Sequence, residues 1–291
     1  MRQVLAIDAG GTKTAVAVVD ESGRVRDRRQ VTAARTVEGT VAQIAEAAAA
    51  AGDVAAVGVI VPGIYAASDG TAWCPNLWGD VHVPLRAALR AQVALPVTID
   101  CDRSGYVSGE AWCGAAHGAS DVVFVSIGTG IGVGILAAGR VVGGAHGIAG
   151  AAGWSSLLDI WKDEYRTCGC WEWEAAGPGI ARAFGVSAAE DVVAAAHDGN
   201  AAARDVLLTA ARHTGRGIAN IVSLLNPEVV VLGGGVVQGA GTLIIDAIRD
   251  EAARWAQPIA WRRCRIELTT LGENAGLLGA ARLALDGAIQ P

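Results

Sequence analysis

The chain has 291 residues, 52% of them hydrophobic, and a formal net charge of −6, enough material for one large or two medium domains with sizeable cores. No uninterrupted apolar run of roughly 18 residues occurs, so no membrane span is expected, and an acidic balance without basic clusters speaks against nucleic acid as the main partner. The first strand begins at Gln3 with no signal-peptide pattern ahead of it, and six cysteines do not make a secreted disulfide framework, so a cytoplasmic protein with reduced thiols is expected.

In chain order, Gln3–Asp8, Thr14–Val19 and Arg24–Val31 read as an antiparallel meander, with a turn at Glu21-Ser22-Gly23. An Ala-rich helix is expected from Val37 to Ala51. Val54–Val61 is a continuous apolar run, as in a strand buried on both faces, and it stops at Pro62-Gly63. A Trp-containing loop precedes a helix over Leu85–Gln92 and a short strand over Val97–Asp100. The pattern then restarts. Val122–Ile127, Gly132–Ala137 and Arg140–Val142 form a second meander, and Ala201–Leu225 a long helix. Strand Val229–Leu232, helix Leu243–Trp255, strand Ile266–Thr270 and helix Ala275–Leu285 complete the reading.

Three strands end in glycine-rich turns: IDAGGTKT (Ile7 to Thr14), SIGTGIGVG (Ser126 to Gly134) and VVVLGGGVV (Val229 to Val237). Backbone amides in loops with little or no side chain can approach phosphate oxygens closely. Three such loops predict two half-domains presenting backbone to one nucleotide, hence a nucleotide-dependent enzyme that closes over its substrate. Asp8, at the end of its strand, is placed to hold the water shell of a nucleotide-bound Mg²⁺. Gly10, Gly11, Thr12 and Lys13 form the hairpin that would face the β- and γ-phosphates. Gly128, Thr129 and Gly130, and Gly233, Gly234 and Gly235, supply the other two ATP-binding loops.

The order of elements resembles the duplicated ribonuclease-H-like α/β fold of the sugar kinase, Hsp70 and actin superfamily, two lobes about a central nucleotide cleft. A small lobe would cover residues 1–110, with a C-terminal helix at 275–288 packing back on it, and a large lobe 111–274. Hinges are expected near Gly109–Gly114 and Glu273–Gly276. GTGIGVG followed by GRVVGGAHGIAGAAGW resembles the signature of the ROK family of bacterial repressors, open reading frames and sugar kinases. NPEVVVLGGGV from Asn226 resembles its adenosine loop, ENAGLLGAARLAL from Glu273 its closing helix, and VPG (Val61–Gly63) and PNLWG (Pro75–Gly79) its sugar-side loops. The resemblance implies an ATP- and Mg²⁺-dependent sugar kinase, a homodimer, and, with no DNA-binding segment before the first strand, not the repressor branch. A non-catalytic sugar sensor is the competing class.

The family's catalytic Asn-Asp pair falls on Cys101-Asp102, which implies Asp102 as the base that accepts the proton of the attacking hydroxyl. By the same resemblance Gly63, Asn76, Asp100, Cys101, Trp154 and Glu172 line the acceptor. Cys101 replaces the family's Asn, Ala151 its Glu and Trp154 its His, so polar partners of ring hydroxyls are gone while Glu172 is kept. The implied acceptor is therefore a modified hexose phosphorylated on its primary hydroxyl. An amino sugar such as kanosamine comes first, since Asp100 and Glu172 could hold an ammonium; a C7-cyclitol or plain glucose are the alternatives. Six tryptophans (Trp73, Trp78, Trp154, Trp161, Trp171, Trp173) suggest apolar walls for that acceptor. The family's zinc motif is degraded: Trp154, Asp163 and Tyr165 stand where His and two Cys belong, leaving Cys170 with Cys168 nearby, and no metal is expected there.

Overall fold

A computed structural model describes residues 1–287. The chain divides into two compact units: the first comprises residues 1–118 and 141–149 and resumes at Leu271, and the second comprises 119–140 and 150–270. The expected lobe boundaries at 110 and 274 therefore differ from the division in the structure, and the expected final residue 288 of the last helix lies outside the described residues.

The first unit opens with β1 (Gln3–Ala9), β2 (Lys13–Asp20) and β3 (Val25–Thr32), then α1 (Val37–Ala50), β4 (Val57–Val61), β5 (Ile64–Ala66), β6 (Thr71–Trp73) and α2 (Pro75–Trp78). It continues with β7 (His82–Val83), α3 (Leu85–Arg90), β8 (Val97–Cys101) and α4 (Asp102–Cys113). The main sheet has the order β3-β2-β1-β4-β8, and β5-β6-β7 form a small separate sheet. β1 and β2 are antiparallel, whereas β4 lies parallel to both β1 and β8. All five residues of β4 are buried, as a strand covered on both faces requires. The strand itself is shorter than the apolar run suggested: it starts at Val57, although Val54 and Ala56 ahead of it are also buried and residues 55 and 56 already bond to β1. Helix α1 starts where Thr36 Oγ1 accepts the Gly39 N–H at 3.1 Å, an N-cap bond, and it buries Val41, Ile44 and Ala47 on one face.

The second unit carries β9 (Val122–Ile127), β10 (Ile131–Ala137) and β11 (Arg140–Val141), then the short helices α5 (Tyr165–Cys168), α6 (Cys170–Ala175), α7 (Gly177–Phe184) and α8 (Ala189–His197). Next come α9 (Ala201–Leu225), β12 (Val229–Gly233), α10 (Gly235–Trp255), α11 (Pro258–Trp261) and β13 (Arg265–Leu268). Its sheet order is β11-β10-β9-β12-β13, with β12 parallel to both neighbours. The sheet repeats that of the first unit: a meander followed by parallel strands. Helix α10 starts eight residues before the expected Leu243, so the glycine loop feeds directly into a helix N-terminus.

The chain returns to the first unit as α12 (Ala275–Gly287), which packs on α4, β1 and β4. Glycines allow this. A β-carbon at Gly279 would overlap the Gly105 carbonyl of α4, and one at Gly58 the Ala280 carbonyl. Gly109, expected near a hinge, lies inside α4, where a β-carbon would sit 2.9 Å from the Ala275 carbonyl. Its small size serves helix packing.

Candidate active site

In the first unit the parallel strands place the acidic residues by register. Asp8 of β1 pairs with Ile60 of β4, and Ile60 with Asp100 of β8. One position further along β8, Cys101 pairs with Val61, and Asp102 then starts α4. The carboxyl ends of parallel strands are where α/β folds bind ligands. Two local bonds fix the turn: Asp100 Oδ1 accepts the Cys101 N–H at 2.7 Å, and Asp102 Oδ1 accepts the Arg103 N–H at 2.8 Å. The Cys101 thiol lies 3.2 Å from Ser104 Oγ and is buried.

The electrostatics are those of crowded, poorly solvated carboxyls. Burial pushes Asp8 up to about 7, and the charge of Asp102 adds to the rise. Burial pushes Asp102 up to about 6, against the pull of the Arg103 guanidinium. Asp100 is also raised by burial. The Cys74 thiol is pushed up to about 12 by burial and by the charges of Asp102 and Cys101. Tyr106, one turn into α4, has its hydroxyl raised by the charge of Asp8 and by burial.

Other residues singled out in the sequence gather in the same unit. The hairpin Gly10–Lys13 closes with the Gly10 N–H donating to the Lys13 carbonyl at 3.0 Å. Asn76 comes against this hairpin, its carbonyl 3.3 Å from where a Gly11 β-carbon would be. At Gly63, φ is 131°, and a β-carbon there would overlap the Trp73 carbonyl. Only glycine fits both the angle and the approach.

The second unit assembles the remaining residues. Gly233 pairs with Ser126 across β12 and β9, so the two glycine loops leave adjacent strand ends. Gly234, with φ of 91°, caps α10 and abuts the Ile127 backbone: a β-carbon would lie 2.5 Å from its carbonyl oxygen. The Gly128 N–H donates to Gly130 O at 3.0 Å, and Gly128 O accepts the Gly177 N–H at 2.8 Å, at the start of α7. Thr129 and Gly235 are exposed at the tips. Backbone amides beside a helix N-terminus are a combination suited to an anion.

Glu172 of α6 faces the first of these loops. Its Oε2 accepts the Ile131 N–H at 2.6 Å and crowds Gly130, where a β-carbon would come within 2.6 Å. Its pKa is raised by burial. Trp154 is 57% exposed.

The six tryptophans do not form one wall. Trp171 is fully buried core, and Trp78 donates its Nε1–H to Thr40 Oγ1 on α1 at 3.0 Å. Trp73 donates to Asp80 at 2.8 Å, and the Trp173 ring carries the Arg182 guanidinium at 3.7 Å. Trp161 meets Tyr165 edge-on at 5.9 Å. Where the zinc motif is degraded, the Tyr165 hydroxyl donates to Glu174 at 2.6 Å and Lys162 Nζ lies 2.5 Å from the same oxygen. All six cysteines are free thiols, and among the described residues no group of three His, Cys, Asp or Glu side chains is arranged to hold a metal ion.

Against known proteins, the ROK family model matches residues 4–287. The chain belongs to the ROK family. A glucokinase of Streptomyces coelicolor is 31% identical over 98% of both chains. Among solved structures, this ROK chain superposes on a ROK hexokinase from Thermus thermophilus with a TM-score of 0.85, at 31% identity over 97% of this chain and 98% of that one. A ROK glucokinase from Streptomyces griseus, solved with glucose and AMPPNP, gives 0.82 at 31% identity over 98% and 99%. The fold is thus the actin-like ATPase fold of ROK hexokinases.

Sequence reasoning missed two residues. Gly276 adjoins Asp8 so closely that a β-carbon would overlap the carboxylate; a glycine near the start of a helix gives no sign of this. Arg103, whose backbone N–H holds Asp102, does carry a sequence signal, a long cation directly after Asp102.

Proposed function

We propose that this ROK protein is an ATP-dependent kinase that transfers the γ-phosphoryl group to the primary hydroxyl of a modified hexose, with an amino sugar such as kanosamine as acceptor. The observation that carries the reading is Asp102: a part-buried carboxyl at a strand-to-helix turn, with Oδ1 held by the Arg103 N–H and a pKa of about 6. A base with that pKa is ionised at neutral pH yet basic enough to take a proton. Asp102 accepts the proton of the acceptor hydroxyl through Oδ2 as the hydroxyl oxygen bonds to the γ-phosphorus. The bond from γ-phosphorus to the bridging oxygen breaks, and ADP leaves.

The residues present fit a nucleotide with Mg²⁺. Burial, and after it the charge of Asp102, raises the pKa of Asp8, so its ionised form would gain from a cation. Oxygen donors of this kind suit a hard, strongly hydrated cation. Asp8 would hold it through its water shell. Bound, the ion neutralises the charge that spreads over the phosphoryl oxygens. In the first unit the Gly10–Lys13 hairpin would offer backbone and the Lys13 ammonium to phosphate, and in the second unit the loops at Gly128–Gly130 and Gly233–Gly235 would offer backbone amides.

The acceptor reading rests on Cys101, whose buried thiol is engaged by Ser104 Oγ and offers no amide to a ring hydroxyl. Ala151 removes a second polar partner. An unpaired hydroxyl in a closed site costs about 1–3 kcal/mol, which disfavours plain glucose. Asp100, raised by burial, gains from a cation. A coupled ADP-release assay over glucose, N-acetylmannosamine, kanosamine and valiolone tests this. Kanosamine should give the highest kcat/KM; glucose in first place would overturn the acceptor reading and leave the kinase standing. The free thiols support a cytoplasmic setting. A homodimer is part of the same proposal, and light scattering at the monomer mass of 29.5 kDa would refute it.

A further inference from the structure

Arg103 has no part in the transfer steps above, yet it is placed with care. It is the second residue of α4, and its backbone N–H is the one that holds Asp102. Its side chain runs to segment 141–149, where Nη2 donates to the Gly147 carbonyl at 3.4 Å. That carbonyl is fixed in turn: Gly147 has φ of 69°, and a β-carbon on it would meet Tyr65 O at 2.6 Å. The guanidinium Nε is buried and has no hydrogen-bond partner. A buried N–H without an acceptor is costly, and native structures rarely leave one.

The donor belongs to the residue that directly follows the proposed base. Cys101, the neighbouring position on β8, has no amide to offer, and its thiol is turned to Ser104. We propose that Arg103 is a specificity-determining residue of the acceptor site, donating its Nε–H to a sugar oxygen next to the hydroxyl that reacts. This rests on the kinase reading and deepens it. The acceptor presents an oxygen to Arg103, while any ammonium it carries lies away from the guanidinium, towards the carboxylates.

The test compares Arg103→Met, Arg103→Gln and Arg103→Lys with the unaltered protein, using kanosamine and each of its single-deoxy analogues. Binding is read by calorimetry with AMPPNP present, and turnover by ADP release. In the unaltered protein one analogue should lose affinity about tenfold or more for want of the partner oxygen. Arg103→Met should lose the same factor towards kanosamine and nothing further towards that analogue. Arg103→Lys should recover part of the loss, and KM for ATP should stay within about twofold. Hydrogen exchange at residues 143–149 should rise in Arg103→Met, since the Gly147 tie is gone. If every deoxy penalty is the same with and without Arg103, this inference falls while the kinase reading stands. If no hexose binds or turns over in the unaltered protein, both fall together. Should Arg103→Met not fold, Arg103→Gln carries the same comparison.

Discussion

Gly276 and Asp8 touch with no space for a side chain between them: a β-carbon at 276 would overlap Asp8 Oδ2. The first turn of α12 therefore forms one wall of the site of the carboxylate proposed to serve Mg²⁺–ATP. Asp8 cannot retreat towards the helix, and its position on β1 is fixed by pairing to Ala15 and Ile60. Gly276→Ala should push the carboxylate aside and weaken use of Mg²⁺–ATP, with KM for the nucleotide rising at least about tenfold, a cost of about 1.4 kcal/mol in binding. Alanine is the better helix former, so a general loss of the helix is not the expected cause of any defect. Normal nucleotide kinetics in Gly276→Ala would show that Asp8 has freedom the packing denies.

A second prediction follows from the acidity of Asp102. The base must be ionised to accept a proton, and burial raises it to about 6. The kcat/KM of the acceptor should therefore be flat above about pH 7 and fall as pH drops through 6. The charged neighbours are Asp8 on β1, Asp100 on β8, and Arg103 on α4. Asp102→Asn should lower kcat about 10²–10⁴-fold with sugar binding retained. An acid limb that persists unchanged in the residual activity of Asp102→Asn would assign it to another group.

How much of this was legible from residues alone depended on where each property resides. The strand-turn-strand patterns around Asp8 and Gly128 are local, written in β-branched runs broken by glycine, and both meanders stand where expected. The roles of Trp78 and Trp171 were not legible: one is bonded to α1 and the other fills the core of the second unit, and composition cannot separate a packed indole from one lining a ligand. The short strands β5–β7 were missed because pairings of two or three residues are set by neighbours rather than by periodicity. The pairing of Gly105 with Gly279, far apart in sequence, is likewise a product of packing. Asp102 was found by resemblance; its raised pKa needed the fold.

Stability should carry the mark of Asp8. Its folded pKa of about 7 exceeds the ordinary value of 3.8, so between these pH values the folded state binds more protons than the unfolded one. Stability of the nucleotide-free protein then falls as pH rises from about 4 to 7, by linkage. Asp8→Asn removes the ionisation cost. Its melting temperature should exceed that of the unaltered protein by a few degrees at pH 8, and the gap should close towards pH 4, where both side chains are neutral. Adding Mg²⁺–ATP should favour the unaltered protein. A gap that does not change with pH would mean that Asp8 does not titrate in this window.

The last prediction concerns Glu172, whose carboxylate holds the Ile131 N–H at 2.6 Å while crowding Gly130. This places one side chain on the loop that would carry phosphate, so its loss should be felt there whatever it does for the sugar. Glu172→Gln keeps an acceptor oxygen for Ile131 and removes the charge; Glu172→Ala removes both. If the loop contact matters, KM for ATP should rise several-fold in Glu172→Ala and stay near normal in Glu172→Gln. If the charge also serves the acceptor, KM for the sugar should rise in both. Burial raises the pKa of Glu172 and the Ile131 N–H opposes that rise, so the charge is held against a desolvation cost, which Glu172→Gln relieves. Its melting temperature at neutral pH should therefore equal or exceed that of the unaltered protein, whereas Glu172→Ala, which strands the Ile131 N–H, should melt lower by a few degrees, the effect of about 1 kcal/mol in a chain of this size. Equal kinetics for ATP in Gln and Ala variants would show that the Ile131 bond does not shape the loop.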